Sequence, residues 1–274
     1  MLNKLQNLCE NGSSYRGIFV RTKMTRFPDG SADIFCPKFG YNVGMQLQKQ
    51  RLSWAKTGQT PHRVRNILES QKRSRRYIIQ LIRANSFDYF GTLTIDPKKL
   101  DPLNYPLVKR HLSKWLKSQA RYSDFKYLLV PEKRDDGSLH FHGLFRNFSS
   151  SLIPAMHPRT GKLLLDHGLQ IYNVADYPLG FSDVTQVQSL DAVSVYVSKY
   201  IVKDLVGSTN HELNKKTYWH SRGLVRPVLD YSEQVIPPHL EKKLPEASSN
   251  VWGTYRRGVP PPQVDLLSEF FENG

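Results

Sequence analysis

Three segments of the chain carry apolar residues at the spacing of an amphipathic helix. The first, within residues 49–83, has a basic outer face, with ten Lys or Arg against one Glu. Its apolar positions are Val64, Ile67, Leu68, Ile78 and Ile82. The second begins at Pro106, a residue suited to a first helical turn, and ends near Tyr122, and the third occupies residues 189–205. These patterns predict three helices.

Short runs rich in β-branched and aromatic residues alternate with these helices. The first run begins at Phe87 and stops at Asp96-Pro97, and later runs occupy residues 125–130, 139–145 and 181–187. Asp136-Gly137 separates the second run from the third, which predicts a tight hairpin. The order of elements predicts an α+β fold with a central antiparallel sheet and helices on one face, as in the ferredoxin or RNA-recognition class.

The composition divides the chain into three parts. Residues 1–86 combine the basic helix with a Gly- and Pro-containing arm, which predicts a hairpin or an extended segment. Residues 87–225 carry the alternating strands and helices and form the expected central domain. Residues 226–274 place Pro237-Pro238 and Pro260-Pro261-Pro262 between short charged segments, which predicts a loop-like, Pro-rich C-terminal extension.

The charge of the chain is strongly positive. Its 274 residues include 39 Lys or Arg and 24 Asp or Glu, which gives a formal charge of +15. This charge favours a polyanionic partner through counterion release, and nucleic acid is the commonest such partner. A membrane surface is the weaker alternative, because the sequence has no apolar run of about 18 residues and no signal-peptide segment. We therefore expect a cytoplasmic protein. Cys9 and Cys36 are too few for a disulfide framework or a cysteine zinc site.

A candidate metal site lies around His140-Phe141-His142, inside the third predicted strand. Alternation along a strand sends both imidazoles to one face and Phe141 to the other. Glu132 ends the preceding strand, so the hairpin can bring its carboxylate to the same face. Two imidazoles and a carboxylate suit Mg²⁺ or Mn²⁺ at a phosphate, and also accept Zn²⁺ or Ni²⁺. In the alternative without a metal, Glu132 is an exposed strand-end carboxylate and the histidines line a groove.

A second candidate group lies on the third predicted helix. Spacings of three and four place Tyr196, Lys199, Tyr200 and Lys203 along one side. A phenol can attack a DNA phosphate if a metal polarises the phosphoryl oxygens and cations meet the developing charge. The alternative is a core-facing aromatic stripe, because amphipathic helices often bury Tyr rings. The sequence contains no G-x-x-x-x-G-K-[ST] loop, which fits an enzyme without an attached helicase.

Two further segments supply candidate contacts to DNA. Arg73, Arg75 and Arg76 lie on the basic helix and are suited to backbone phosphates, although such charges can also simply solvate a helix face. The run from Tyr218 to Gly223 includes Trp219 and Arg222 and combines aromatic faces with a cation, the ingredients for stacking on single-stranded bases. A packed loop is the alternative.

Three segments, in this order, resemble the motifs of HUH replication initiators. They are Phe90-Gly-Thr-Leu-Thr94, Glu132 with His140-Phe-His-Gly143, and Tyr196-Val-Ser-Lys-Tyr-Ile-Val-Lys203. The two-tyrosine form is similar to the initiators of small single-stranded DNA phages and of related plasmids or prophages. The similarity covers roughly residues 87–205, under half of the chain.

The resemblance implies a metal-dependent endonuclease that nicks single-stranded DNA through a tyrosine and starts rolling-circle replication, with residues 87–225 as the HUH nuclease domain. The implied metal is Mg²⁺ or Mn²⁺, and the two tyrosines are implied to act alternately. The expected partners are single-stranded DNA at a replication origin and the helicase and polymerase of a bacterial host. Implied roles are metal ligand for His140, His142 and Glu132, nucleophile for Tyr196 and Tyr200, active-site cation for Lys199, and strand core for the first motif.

Several other classes share part of this pattern. Relaxases resemble a permuted arrangement with an N-terminal tyrosine, whereas here the His motif precedes the Tyr helix. One-tyrosine transposases share the order but lack a second aligned Tyr. A single-strand-binding module of the RNA-recognition type would use the same sheet without needing Glu132. It would place a pair of aromatic residues where this strand has Phe141 alone. A transcription regulator is disfavoured because the sequence has no helix-turn-helix signature.

Overall fold

The structure is a computed structural model that describes residues 19–42, 63–206 and 218–272. The chain forms two compact units, one of residues 61–225 and one of residues 1–60 together with 226–274. The basic helix therefore belongs to the same unit as the expected central domain. The boundaries after residues 86 and 225, as limits of independently folding domains, stay predictions.

The described elements follow the predicted order in the central region. The described helices are α1 (Arg63–Arg83), α2 (Tyr105–Tyr122), α3 (Leu190–Val206), α4 (Pro238–Glu241), α5 (Pro261–Asp265) and α6 (Ser268–Glu272). The described strands are β1 (Phe19–Val20), β2 (Thr22–Arg26), β3 (Ala32–Pro37), β4 (Tyr41–Asn42), β5 (Tyr89–Ile95), β6 (Lys126–Lys133), β7 (Leu139–Arg146), β8 (Leu152–Pro154), β9 (Leu165–Asp166), β10 (Leu169–Gln170), β11 (Tyr172–Val174), β12 (Gly180–Gln186), β13 (Trp219–His220), β14 (Val228–Ser232), β15 (Ser248–Asn250) and β16 (Gly253–Val259). The first predicted helix is confirmed from Arg63, and residues 49–62 lie outside the described residues, as do the side chains of Val64, Ile67 and Leu68.

Residues 61–225 are built on a seven-stranded antiparallel sheet with the order β13-β6-β7-β5-β12-β11-β8. The predicted α+β class with a central antiparallel sheet is confirmed. Two local signals explain how α2 and the β6–β7 hairpin form. The Asn104 side chain accepts a hydrogen bond from the Leu107 N–H at 3.1 Å, and so caps the first turn of α2. Gly137 adopts a φ of 81° in the hairpin turn, a conformation that glycine adopts without a steric penalty.

Helices pack on both faces of this sheet, so the expectation of helices on one face is wrong. The face that packs with α2 has a core that includes Leu93, Val108, Leu112, Trp115, Leu129, Phe141 and Phe145. The opposite face packs with α1 and α3 through Ile78, Leu81, Ile82, Leu128, Val130, Leu144 and Val197. The reason is that β6 and β7 carry apolar residues at successive positions, so both of their faces require cover.

The second unit contains a five-stranded antiparallel sheet with the order β14-β2-β3-β16-β15. β2 and β3 form the hairpin expected near the N-terminus. The expectation of a loop-like segment after Pro227 is wrong, because β14, β15 and β16 supply three of the five strands. Apolar residues from both ends of the chain share one core, which consists of Met24, Ala32, Ile34, Ile236, Val259, Val264, Leu267, Phe270 and Phe271.

The irregular stretch between the central hairpin and α3 contains short strands. β8 and β11 extend the seven-stranded sheet at one edge, and β9 and β10 form a separate two-stranded hairpin. Among the described helices, none combines the length and the apolar character that crossing a membrane requires.

Candidate active site

The register of the central hairpin brings the three predicted metal ligands together. Glu132 of β6 is directly opposite His140 of β7, and His142 lies two residues further along β7 on the same face. The Glu132 Oε2 atom lies 2.8 Å from His140 Nε2 and 2.6 Å from His142 Nε2. All three side chains are buried. Glu132 is therefore not the exposed carboxylate of the alternative without a metal.

This group fits a divalent metal ion. One ligand atom from each residue lies within 4.8 Å of the other two, on the side of the sheet that packs with α1 and α3. Burying a carboxylate is costly unless it is paired, and here two imidazoles face it. Two nitrogens and one oxygen form a mixed set that leaves other coordination positions open for a phosphate. The residues could thus hold a metal whose identity the donor set alone does not select.

His142 has neighbours at both ring nitrogens and across one ring face. Its Nε2 faces Glu132, its Nδ1 lies 3.2 Å from Thr92 Oγ1, and the Tyr200 ring stacks on it with centroids 3.6 Å apart and planes 13° apart. Tyr200 belongs to α3, so the predicted tyrosine helix lies directly against the predicted metal ligands. The sequence indicated each group separately and not their contact.

The two tyrosines are neighbours on α3. The Tyr200 hydroxyl donates a hydrogen bond to the Tyr196 hydroxyl at 2.6 Å. Tyr196 packs its ring edge against Phe90 at 5.4 Å and is 45% exposed, whereas Tyr200 is half-buried. The alternative of a core-facing aromatic stripe thus describes Tyr200 in part and does not describe Tyr196.

The electrostatic surroundings differ between the two phenols. Burial raises the pKa of Tyr200, and the hydrogen bond and charge of Tyr196 and the charge of Glu132 act in the same direction. The Lys199 ammonium lies 5.8 Å from the centroid of the Tyr196 ring. In this arrangement Tyr200 keeps its proton and donates it, and the Tyr196 oxygen receives that hydrogen bond.

The candidate DNA contacts lie in different places. Arg75 on α1 donates a hydrogen bond from Nε to Ser198 Oγ on α3 at 3.2 Å, and Arg73 and Arg76 are exposed on α1. The Lys203 side chain lies outside the described residues. Trp219 is buried on the opposite face of the sheet, where its ring lies 5.2 Å from that of Phe141, as expected for a packed residue.

Arg222 is exposed and lines a groove of about 580 Å³ at the β13 edge of the sheet. The other lining residues are Ser70, Ser74, Lys109, Ser113, Leu116, Tyr127, Tyr218, Trp219 and His220. Sequence reasoning missed Lys109 and the three serines, because they come from α1 and α2 and only the tertiary fold brings them to Arg222. It also missed Thr92, although alternation along Phe90-Gly-Thr-Leu-Thr94 places both threonines on the His140 and His142 face.

Residues 88–205 match a family model of replication-associated proteins of the ORF2 type. The matched segment contains the Glu132, His140 and His142 group together with both tyrosines, and it covers less than half of the chain. No curated protein and no solved structure matches the chain. The similarity supports a replication-associated protein.

Proposed function

We propose that the protein initiates rolling-circle replication by nicking single-stranded DNA at a replication origin and attaching itself to the new 5′ end through a tyrosine. One observation carries this proposal. The Tyr200 ring stacks on His142, and its hydroxyl bonds to that of Tyr196, so two potential nucleophiles lie beside a group suited to a divalent metal. The similarity of residues 88–205 to a replication-associated family points to the same activity.

The proposed reaction is a transesterification. The phenolic oxygen of a tyrosine forms a bond to phosphorus, the bond from phosphorus to the 3′ oxygen breaks, and that oxygen takes up a proton. Glu132, His140 and His142 would hold Mg²⁺ or Mn²⁺, which supplies polarisation of a phosphoryl oxygen. Lys199 offers a positive charge beside Tyr196 as negative charge develops. The phosphotyrosine bond conserves the energy of the phosphodiester, so a later 3′ hydroxyl can reverse the reaction and join DNA without ATP.

Two adjacent tyrosines suit a reaction with two cleavage steps. While one tyrosine holds a 5′ end, the other remains at the same metal site and can attack a second phosphate. The hydrogen bond of 2.6 Å between the hydroxyls supports this use, because either oxygen then lies close to the same position. The joining step that follows makes the protein a strand transferase as well as a nuclease.

The strand would be bound by a basic surface. α1 carries seven Lys or Arg and one Glu, and its Arg75 contacts the tyrosine helix. We propose that Arg73 and Arg76 contact phosphates of the strand and that Arg222 contacts DNA at the groove beside β13. Lys203 completes the proposed set on α3. The host helicase and polymerase are proposed partners at the origin, because the chain carries no phosphate-binding loop of its own.

The test is formation of a covalent protein–DNA adduct. Purified protein is incubated with single-stranded oligonucleotides that cover its origin, with Mn²⁺ or with EDTA, and adducts are separated under denaturing conditions. We expect an adduct with Mn²⁺ only, and none from the Tyr196→Phe, Tyr200→Phe double variant. Both substitutions preserve the rings, so the packing against Phe90 and His142 provides its own control. Tight binding without an adduct on any origin oligonucleotide would favour the single-strand-binding module instead.

A further inference from the structure

We infer that the Thr92 hydroxyl orients His142 for metal binding, which makes Thr92 a positioning residue. The inference rests on the proposed function, in which His142 is a metal ligand. Thr92 Oγ1 lies 3.2 Å from His142 Nδ1, and the two residues are directly opposite in the β5–β7 ladder. The sequence alone treats the first motif, which contains Thr92, as strand core.

The tautomer of His142 explains why this contact matters. Nε2 is the nitrogen directed at Glu132 and therefore toward the other ligand atoms. A neutral imidazole that binds metal through Nε2 must carry its proton on Nδ1, and metal-binding histidines commonly donate that proton to a partner. Thr92 Oγ1 is placed to accept it. Without metal the same hydroxyl can donate to Nδ1 while Nε2–H donates to Glu132, because a hydroxyl serves in both roles.

The hydrogen bond also fixes the orientation of the ring. Stacking of Tyr200 restrains His142 from one face but does not distinguish the two ring orientations related by a half-turn about the Cβ–Cγ bond. That half-turn would exchange Nδ1 with a carbon atom. Only the orientation seen here satisfies both Thr92 and Glu132, so the pair of hydrogen bonds selects it.

Thr94 provides a matched control on the same strand. It lies on the same face as Thr92 and is directly opposite His140. Within the described residues the Thr94 side chain makes no hydrogen bond. Replacing either threonine by Val keeps a β-branched shape suited to a strand and removes only the hydroxyl. A difference between the two Val variants therefore reports the hydrogen bond to His142 and not the removal of a polar group from the sheet.

The experiment measures Mn²⁺ affinity of the full chain without DNA, by following free Mn²⁺ with electron paramagnetic resonance during a titration. Wild type is compared with Thr92→Val, Thr92→Ser and Thr94→Val, and urea unfolding in EDTA confirms that each variant folds. We expect Thr92→Val to raise the Kd for Mn²⁺ by about 10- to 100-fold, the usual effect of removing a partner of a ligand. Thr92→Ser, which keeps the hydroxyl, and Thr94→Val should both bind close to wild type.

The outcomes separate this inference from the proposed function. Equal affinities of Thr92→Val and wild type would overturn the positioning role while leaving the metal site intact. An equal loss of affinity in Thr92→Val and Thr92→Ser would also overturn it, because the methyl group and not the hydroxyl would then be responsible. Absence of Mn²⁺ binding by a folded wild type would overturn the metal site itself, and this inference with it.

Discussion

At the residue scale, the two tyrosines are chemically alike but differ in their surroundings. Tyr196 is 45% exposed and its oxygen accepts a hydrogen bond, whereas Tyr200 is half-buried, stacks on His142 and donates that bond. A hydrogen bond received by an oxygen stabilises negative charge developing on it. Lys199 lies on the Tyr196 side as well. The surroundings therefore favour Tyr196 as the first nucleophile.

This difference predicts unequal effects of the single Phe variants. Tyr196→Phe should lower the initial rate of adduct formation about tenfold or more relative to Tyr200→Phe, which corresponds to ~1.4 kcal/mol of activation free energy. The rates are measured by stopping the reaction with EDTA at early times on an origin oligonucleotide. Equal rates, or a slower Tyr200→Phe variant, would show that exposure does not decide which tyrosine cuts first.

At the scale of elements, α1 and α3 cover one face of the seven-stranded sheet and α2 covers the other. The proposed nucleophiles and metal ligands all belong to the first face. α1 contacts α3 through Arg75 and presents exposed Arg73 and Arg76, so its basic surface continues from the tyrosine helix. α2 is also basic, with exposed Arg110 and Lys117, but it packs on the opposite face. A strand that reaches the tyrosines should therefore contact α1 and not α2.

This arrangement predicts a difference in salt dependence. The Arg73→Gln, Arg76→Gln double variant should reduce the slope of log binding constant against log salt by about 0.7 for each phosphate that is no longer neutralised. The Arg110→Gln, Lys117→Gln double variant removes the same charge from α2 and should leave the slope near that of wild type. Binding is measured by fluorescence anisotropy with a single-stranded oligonucleotide in EDTA. If both pairs change the slope equally, the positive charge acts as a whole and α1 has no special role.

The sequence predicted elements best where the pattern is local. The bounds of α2, β5, β7, β12 and α3 follow from periodicity, capping residues and turn residues that lie within a few positions. Glu132, His140 and His142 were predicted to converge because one hairpin contains all three. What the sequence could not provide was long-range. The contact of Tyr200 with His142 joins residues far apart in the chain, and β14 pairs with β2 across about 200 positions.

At the scale of the whole molecule, each compact unit contains its own core. Both cores of the seven-stranded sheet are built from residues within 61–225, and the core of the five-stranded sheet is built from the two ends of the chain. The proposed catalytic residues all lie in residues 61–225. The N-terminal strands β2 and β3 depend on β14 and β16, which follow that unit in sequence.

This division predicts different results for two fragments. A fragment of residues 61–225 should unfold cooperatively and bind Mn²⁺ with the affinity of the full chain, because it keeps both cores and all three ligands. A fragment of residues 1–225 should be less soluble, since Met24 and Ile34 would be without their apolar partners from the C-terminal segment. Circular dichroism during heating and the Mn²⁺ titration are the measurements. A largely unfolded 61–225 fragment would mean that the two units depend on each other.

The edge position of β8 and β11 bears on how this protein can diverge. In the strand order, β5 and β12 separate these short strands from the hairpin that carries Glu132, His140 and His142. Residues added or deleted around the β9–β10 hairpin therefore need not displace the metal ligands, and the chain still re-enters the sheet at β12 before the tyrosine helix begins. Selection can thus alter the length and sequence of this edge while the chemistry stays constant. An initiator could acquire a new origin in this way without rebuilding its catalytic centre.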